Sequence, residues 1–136
     1  MGAWSADVFG NDDACDWAFG LGDANDLSLI ESTLDTVLSH GTEYVEAPEA
    51  SEALAAIEVI ARLQGNWGER NPYTEPVDEW VEKTKLQPSA ALAKKAHQVI
   101  ERILAENSEL KELWQESDEF ETWLAFVAEL KSRVNV

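Results

Sequence analysis

The sequence has one cysteine, four prolines and seven glycines among 136 residues, and residues 1–61 contain no lysine or arginine. Because Cys15 alone cannot form an internal disulfide, the fold is not expected to need an oxidising compartment. The proline and glycine content excludes collagen-like and low-complexity chains. No apolar run reaches the roughly 18 residues of a membrane span, since Glu58 and Arg62 interrupt the best candidate. These absences predict a cytoplasmic globular protein.

The first residues show none of the common targeting patterns. No basic group with an apolar stretch behind it opens the chain, so no secretory signal peptide is expected. Position 6 is Ala6, where N-myristoylation needs serine or threonine. A length of 136 residues suits one hydrophobic core but not two, which predicts a single domain over residues 1–136.

The charge is unevenly spread along the chain. Twenty-seven acids against ten bases give a net charge of −17, of which residues 1–61 carry −13 and residues 62–136 carry −4. Solubility needs a net charge of only about 2–8 in magnitude, and the excess costs stability through self-repulsion. Nucleic acids and anionic membranes are disfavoured as partners because phosphate contacts need lysine and arginine. The charge favours a basic protein partner, or marks a well-solvated acidic face.

The hydrophobic spacing predicts an all-α, single-domain bundle of six to seven helices with an irregular N-terminal segment. Apolar residues recur at helical spacing in nearly every segment, and no hairpin signal separates alternating runs. Residues 53–63 are apolar almost all round, so this helix is expected at the centre, with Glu58 and Arg62 forming one solvent-facing strip. Helix N-caps are predicted at Asn11, Ser28, Thr74, Ser89 and Ser108, and near Ser117 or Asp118 for the last helix.

No catalytic residue, metal site or cofactor is predicted, and the chain is not expected to be an enzyme. Asp12, Asp13 and Asp16 match a short pattern that holds Mg²⁺ in prenyl-transferring enzymes, but no second acidic motif accompanies it. Acids in a first helical turn explain the pattern through the helix dipole. His40 and His97 have no zinc-ligand spacing and Cys15 cannot complete a site. A Mg²⁺-dependent enzyme remains an alternative hypothesis.

Six tryptophans are many for this length. Trp17, Trp80, Trp114 and Trp123 fall on apolar stripes and are expected in the core, and Trp4 is expected beneath the first helix with Phe9. Trp67 lies in the one long irregular stretch, residues 65–74, close to Tyr73. Loop aromatics either anchor protein interfaces or plug the end of a bundle. The predicted partner-binding residues are Glu43, Glu46, Glu49, Glu52, Trp67 and Tyr73.

The opening of the chain resembles a family of small bacterial proteins that is catalogued as a domain of unknown function. The resemblance lies in Met1-Gly2-Ala3-Trp4, Phe9, Asn11-Asp12-Asp13-Ala14 and Asp16-Trp17, and in a second stretch, residues 108–117. It implies a helical bacterial domain, and it brings no established activity or catalytic residues. Small acidic bacterial proteins of this kind are sometimes encoded beside secreted toxins, an association only.

These observations favour a non-enzymatic acidic binding protein of the immunity or antitoxin type. Its partner would be a basic secreted toxin, such as a nuclease, whose cationic cleft attracts the carboxylates of residues 1–61. Two alternatives stay open. The first is a nucleic-acid mimic that inhibits a DNA-binding protein, and the second is a helical domain with no cationic partner.

Overall fold

One helix, α3 (Ala47–Leu63), forms the centre of the molecule, as its apolar sequence predicts. The computed structural model describes residues 5–136. Every residue of α3 from Ala53 onward is buried, and each of the six other helices packs against it. Full burial of one leucine or isoleucine stabilises a fold by about 1.5–3 kcal/mol, so this helix contributes much of the core energy.

Residues 5–136 form an all-α bundle of seven helices, which confirms the predicted fold class. In chain order the helices around α3 are α1 (Asp12–Leu21), α2 (Ser28–Ser39), α4 (Glu75–Thr84), α5 (Ala90–Leu104), α6 (Glu109–Gln115) and α7 (Phe120–Arg133). None of these helices combines the length and hydropathy that a bilayer crossing requires.

Two of the predicted N-cap side chains make the capping hydrogen bond. Asn11 accepts a hydrogen bond from the backbone N–H of Ala14 at 2.8 Å, and Ser89 accepts one from Leu92 at 3.1 Å. Thr74 and Ser108 occupy the predicted N-cap positions of α4 and α6, but their side chains make no cap hydrogen bond. Ser28 is the first residue of α2, whose N-cap residue is Leu27, and α7 has Glu119 at its N-cap position, so the predictions at Ser28 and at Ser117 or Asp118 are wrong. The side chains of Ser28 and Thr74 instead bond carboxylates, those of Asp26 and Asp78, which are stronger acceptors than neutral groups.

A short backbone bridge ties the start of α3 to the start of α6. The N–H of Val45 donates to the carbonyl of Asn107 and the N–H of Glu109 donates to the carbonyl of Val45, each at 2.9 Å. Val45 is fully buried between the two helices. The bridge therefore places acids of α6 beside the acids that precede and begin α3.

The predicted core tryptophans are confirmed. Trp17, Trp80, Trp114 and Trp123 are each less than a tenth exposed. Two of the indole N–H groups donate to nearby oxygens, as buried indoles require, with Trp17 bonding Thr33 at 2.9 Å. Phe9 is also buried. The expected position of Trp4 lies outside the described residues.

Candidate functional site

The six predicted partner-binding residues lie at opposite ends of α3. Glu43 precedes this helix, Glu46 is its N-cap residue, and Glu49 and Glu52 lie in its first turns. Trp67 and Tyr73 lie in the loop that follows its C-terminal end. The helix has 17 residues, a length of about 25 Å at 1.5 Å per residue. The four glutamates and the two aromatic residues therefore do not share one compact surface.

The carboxylates at the N-terminal end of α3 are joined there by two acids of α6. Glu109 accepts a hydrogen bond from the backbone N–H of Ala47 at 2.7 Å, and Glu112 accepts one from the Tyr44 hydroxyl at 2.9 Å. Asp13 of α1 is close enough to affect the titration of Glu52. We call this set the α3 rim; its members are Asp13, Glu43, Glu46, Glu49, Glu52, Glu109 and Glu112.

Burial and the negative charges of the α3 rim raise the pKa values of Glu52 and of the neighbouring Tyr44. Partial burial raises the pKa of the Glu52 carboxyl, and the negative charges of Asp13 and Glu49 raise it further. Partial desolvation, the hydrogen bond to Glu112 and the charges of Glu112, Glu109 and Glu46 raise the pKa of Tyr44 to about 12. Both shifts have the direction expected of acidic groups that are partly desolvated and lie near negative charge.

Few positive groups neutralise the α3 rim. His40 lies 2.6 Å from the Glu49 carboxylate. The guanidinium of Arg102 donates hydrogen bonds to the backbone carbonyls of Gly41, at 2.6 Å, Glu43 and Asn107, and not to the rim carboxylates. Within residues 5–136, no lysine or arginine forms an ion pair with a carboxylate of the rim. The rim is therefore a predominantly anionic surface.

Other acids of residues 1–61 are neutralised by bases from later in the chain. Lys95 of α5 contacts Glu31 at 3.3 Å and Asp35 at 2.7 Å on α2. Glu58 contacts both Arg62 and Arg133. Some acids of residues 1–61 are therefore neutralised by bases and others are not. Four rim residues form no ion pair in the described structure: Asp13, Glu43, Glu46 and Glu52.

A buried ionic cluster occupies the C-terminal half of α3. The guanidinium of Arg62 donates to Asp78, and to Glu58 at 3.0 Å, while Arg133 donates to both oxygens of Glu58 at 2.8 and 2.9 Å. Glu58 and Arg62 are 3% and 2% exposed. The prediction that they form a solvent-facing strip is wrong, because α4 and α7 bring a carboxylate and a guanidinium over them.

The loop after α3 closes over this buried cluster. The indole of Trp67 lies 5.6 Å from the guanidinium carbon of Arg62 and 4.6 Å from that of Arg70, distances typical of cation–π contacts. A Cβ on Gly68 would lie 2.9 Å from atoms of both Glu58 and Arg133. Trp67 is half-buried on the cluster, whereas Tyr73 is 55% exposed. Trp67 thus holds the loop in place.

The aspartates of α1 behave as acids in a first helical turn. Asp12, Asp13 and Asp16 are exposed, and Asn11 caps the helix. Among residues 5–136 no group of three or more histidine, cysteine, aspartate or glutamate side chains is arranged to hold a metal ion. The structure therefore gives the Mg²⁺ hypothesis no support.

Cys15 is held in a form that is a poor nucleophile. Its thiol donates a hydrogen bond to the carbonyl of Phe9 at 3.3 Å. Burial raises the pKa of this thiol, as do the charges of Asp12, Asp16 and Asp7. Since the thiolate is the reactive form, this environment suppresses reactivity. His97, 2.8 Å from the carbonyl of Val134, is likewise used in a structural hydrogen bond.

Sequence reasoning missed Glu109 and Glu112 in the rim, and Asp78 and Arg133 in the buried cluster. Glu109 lies 62 residues from its partner Ala47, and Arg133 lies 75 residues from Glu58. No local spacing signals contacts at such separations. One available signal was the arginine in an otherwise apolar helix, because a buried guanidinium requires carboxylate partners.

Comparison with protein families identifies the chain. The model of the family described as "Domain of unknown function (DUF4259)" matches residues 2–125. The chain belongs to this family. This match confirms the prediction that the chain belongs to a family catalogued as a domain of unknown function. Searches of curated proteins and of solved structures give no match to this DUF4259 member.

Proposed function

We propose that this DUF4259 member is a non-enzymatic binding protein of the immunity or antitoxin type, which neutralises a basic toxin in the cytoplasm. The α3 rim is the observation that carries the proposal. Seven carboxylates surround one helix end, and the one basic side chain that contacts any of them in the described structure is His40, 2.6 Å from Glu49. Such a surface attracts a cationic protein over distances of about a Debye length and speeds its association.

The cost of the rim in the free protein also supports a binding role. Like charges held together destabilise the fold, and after burial, which is the larger cause, the charges of Asp13 and Glu49 also raise the pKa of Glu52. Contact with lysine and arginine side chains of a partner would relieve that repulsion. A nuclease is one class of such partner, because its active-site cleft presents cations to phosphate.

Two variants with equal charge change test the proposal. The rim-neutralised variant carries Glu43→Gln, Glu46→Gln, Glu49→Gln and Glu52→Gln. The matched control carries Glu116→Gln, Asp118→Asn, Glu119→Gln and Glu121→Gln, four exposed acids around the start of α7 that form no ion pairs within residues 5–136. Each variant loses four negative charges, so only the position of the charge differs.

The measurement is recovery of basic proteins from extracts of the source cell on the immobilised chain. We expect the wild type and the control to retain the same basic protein, and the rim-neutralised variant to lose it. Equal recovery by all three chains would contradict the proposal. Displacement by duplex DNA, together with retention of many unrelated DNA-binding proteins, would favour a nucleic-acid mimic instead.

A further inference from the structure

An apolar cleft of about 60 Å³ lies beside the α3 rim, between residues 6–8, α3, α6 and α7. This is room for about four water molecules, or for the end of one aliphatic side chain. Its buried walls include Leu54, Leu110, Trp114, Trp123 and Val127. Leu113 and Phe126 line the cleft nearer to solvent, and Phe126 is 40% exposed. Asn11 and Ser51 are the uncharged polar residues of the lining.

The cleft and the rim form one continuous surface. Asp13 belongs to both, and Ala47, which lines the cleft, donates its backbone N–H to Glu109 of the rim. Among the described residues that line the cleft, Asp7 and Asp13 carry charge, and both are acids. Negative charge at the edge of an apolar pocket selects for an apolar side chain carried on a cationic segment.

We propose that the cleft receives one aliphatic side chain of the basic partner, flanked in the partner by lysine or arginine residues that contact the rim. This inference rests on the proposed function and names the chemistry of the partner's binding segment. Charge alone speeds association, whereas a desolvated apolar anchor slows dissociation. The anchor point then lies at the N-terminal end of α3 and not at Trp67.

Two synthetic peptides serve as probes: the capped pentapeptide Lys-Lys-Leu-Lys-Lys, and the same peptide with serine in place of leucine. Binding to the full chain is followed by NMR at low salt through the indole N–H signals of Trp114 and Trp123. We expect the leucine peptide to bind about tenfold more tightly, as partial burial of one leucine allows.

Phe126→Lys removes an apolar wall of the cleft and should abolish the preference for leucine. The matched control is Phe19→Lys, since Phe19 is 71% exposed, does not line this cleft and undergoes the same change of charge. That control should weaken both peptides alike and keep the preference. Loss of the preference in both variants would overturn the inference, because the effect would then come from charge alone.

The remaining outcomes separate the two proposals. Equal affinity for both peptides, lost in the rim-neutralised variant, overturns the cleft inference and leaves the proposed function standing. Binding that the rim-neutralised variant retains, or no binding of either peptide, counts against the proposed function itself. A preference for leucine that emerges only in the Trp4→Ala variant would make the chain's own opening residues the occupant, and would also overturn the inference.

Discussion

The two ends of α3 hold charge in opposite ways. At the N-terminal end, Glu46 and Glu52 stand beside other acids without a lysine or arginine partner in the described structure. At the C-terminal end, Glu58 is 3% exposed and contacts two guanidiniums. The first arrangement weakens the fold through repulsion, and the second couples three helices through a hydrogen-bonded network.

This difference separates the residues expected to stabilise the fold from those expected to bind a partner. Removing one member of a buried ion pair leaves the other charge buried without a counter-ion, so substitutions in the buried cluster lower the stability of the fold. The exposed carboxylates of the α3 rim have no buried counter-ion, so substitutions in the rim change association with a partner instead. Trp67 belongs to the first class, because it packs on Arg62 and Arg70.

The largest effect is expected from Arg62→Leu, which leaves Glu58 and Asp78 buried without their shared guanidinium. We expect the free energy of unfolding to fall by about 3–5 kcal/mol, measured by urea denaturation at neutral pH. Arg70→Leu is the control, since Arg70 is half exposed and its ion pairs, with Glu82 at 2.7 Å and with Asp78 at 3.4 Å, lie partly in solvent; we expect a much smaller loss from this substitution. Equal losses would contradict the claim that burial makes the Arg62 ion pairs essential to the fold.

Gly68→Ala tests how closely the loop approaches the buried cluster. The new Cβ would lie 2.9 Å from Arg133 Nη1 and from Glu58 Oε1, so the ion pair must shift. We expect a loss of about 1–3 kcal/mol by the same measurement.

The matched substitution is Gly20→Ala in α1, where an added Cβ meets nothing within 4 Å. Alanine favours the helix by about 0.5–1 kcal/mol, so this variant should be slightly stabilised. A Gly68→Ala variant with the same free energy of unfolding as the wild type would contradict the close packing of the loop against the buried cluster.

Glu52→Gln in the rim should change stability in the opposite direction to Arg62→Leu. Removing one like charge is expected to stabilise the fold by a few tenths of a kcal/mol at neutral pH. Because the pKa of Glu52 is raised in the folded state, the wild-type penalty is present above that pKa and disappears as the pH falls below the unfolded value. The advantage of Glu52→Gln should therefore vanish in acid. Destabilisation at neutral pH would refute rim repulsion.

Tyr44 provides a spectroscopic measure of the field at the rim. Its pKa of about 12 means that the folded state keeps the phenol proton more tightly than the unfolded chain does. Stability should therefore fall as the pH rises from about 10 toward 12. Glu112→Gln removes a charge and a charged acceptor, so the phenol should titrate at lower pH in ultraviolet absorbance. An unchanged titration would show that Glu112 does not set the pKa.

The sequence predicts those parts of the fold that depend on near neighbours. Helical spacing located the central helix and the buried tryptophans, and the caps at Asn11 and Ser89 involve residues only three positions away. The hydroxyls of Ser28 and Thr74 make no cap hydrogen bond because nearby carboxylates bind them instead.

In the candidate site, too, the residues that the sequence predicts are near neighbours in the chain, and those it misses are brought in by tertiary packing. Glu43, Glu46, Glu49 and Glu52 were recognised because they lie within one stretch of sequence. Glu109 joins them only through the backbone bridge between Val45 and the segment at 107–109, which no local pattern encodes. The partners of Glu58 and Arg62 come from α4 and α7, so their burial also depends on tertiary packing.

The central claim is that the α3 rim steers a cationic protein to this end of the molecule. The most direct test is the association rate of the recovered basic protein with the wild type, the rim-neutralised variant and the matched control. Rates are compared at about 0.01 M and about 1 M salt, where the Debye length is about 30 Å and about 3 Å. The account predicts a rate at least about tenfold higher at low salt for the wild type and the control, and a much smaller salt effect for the rim-neutralised variant. Equal salt dependence in all three chains would contradict it.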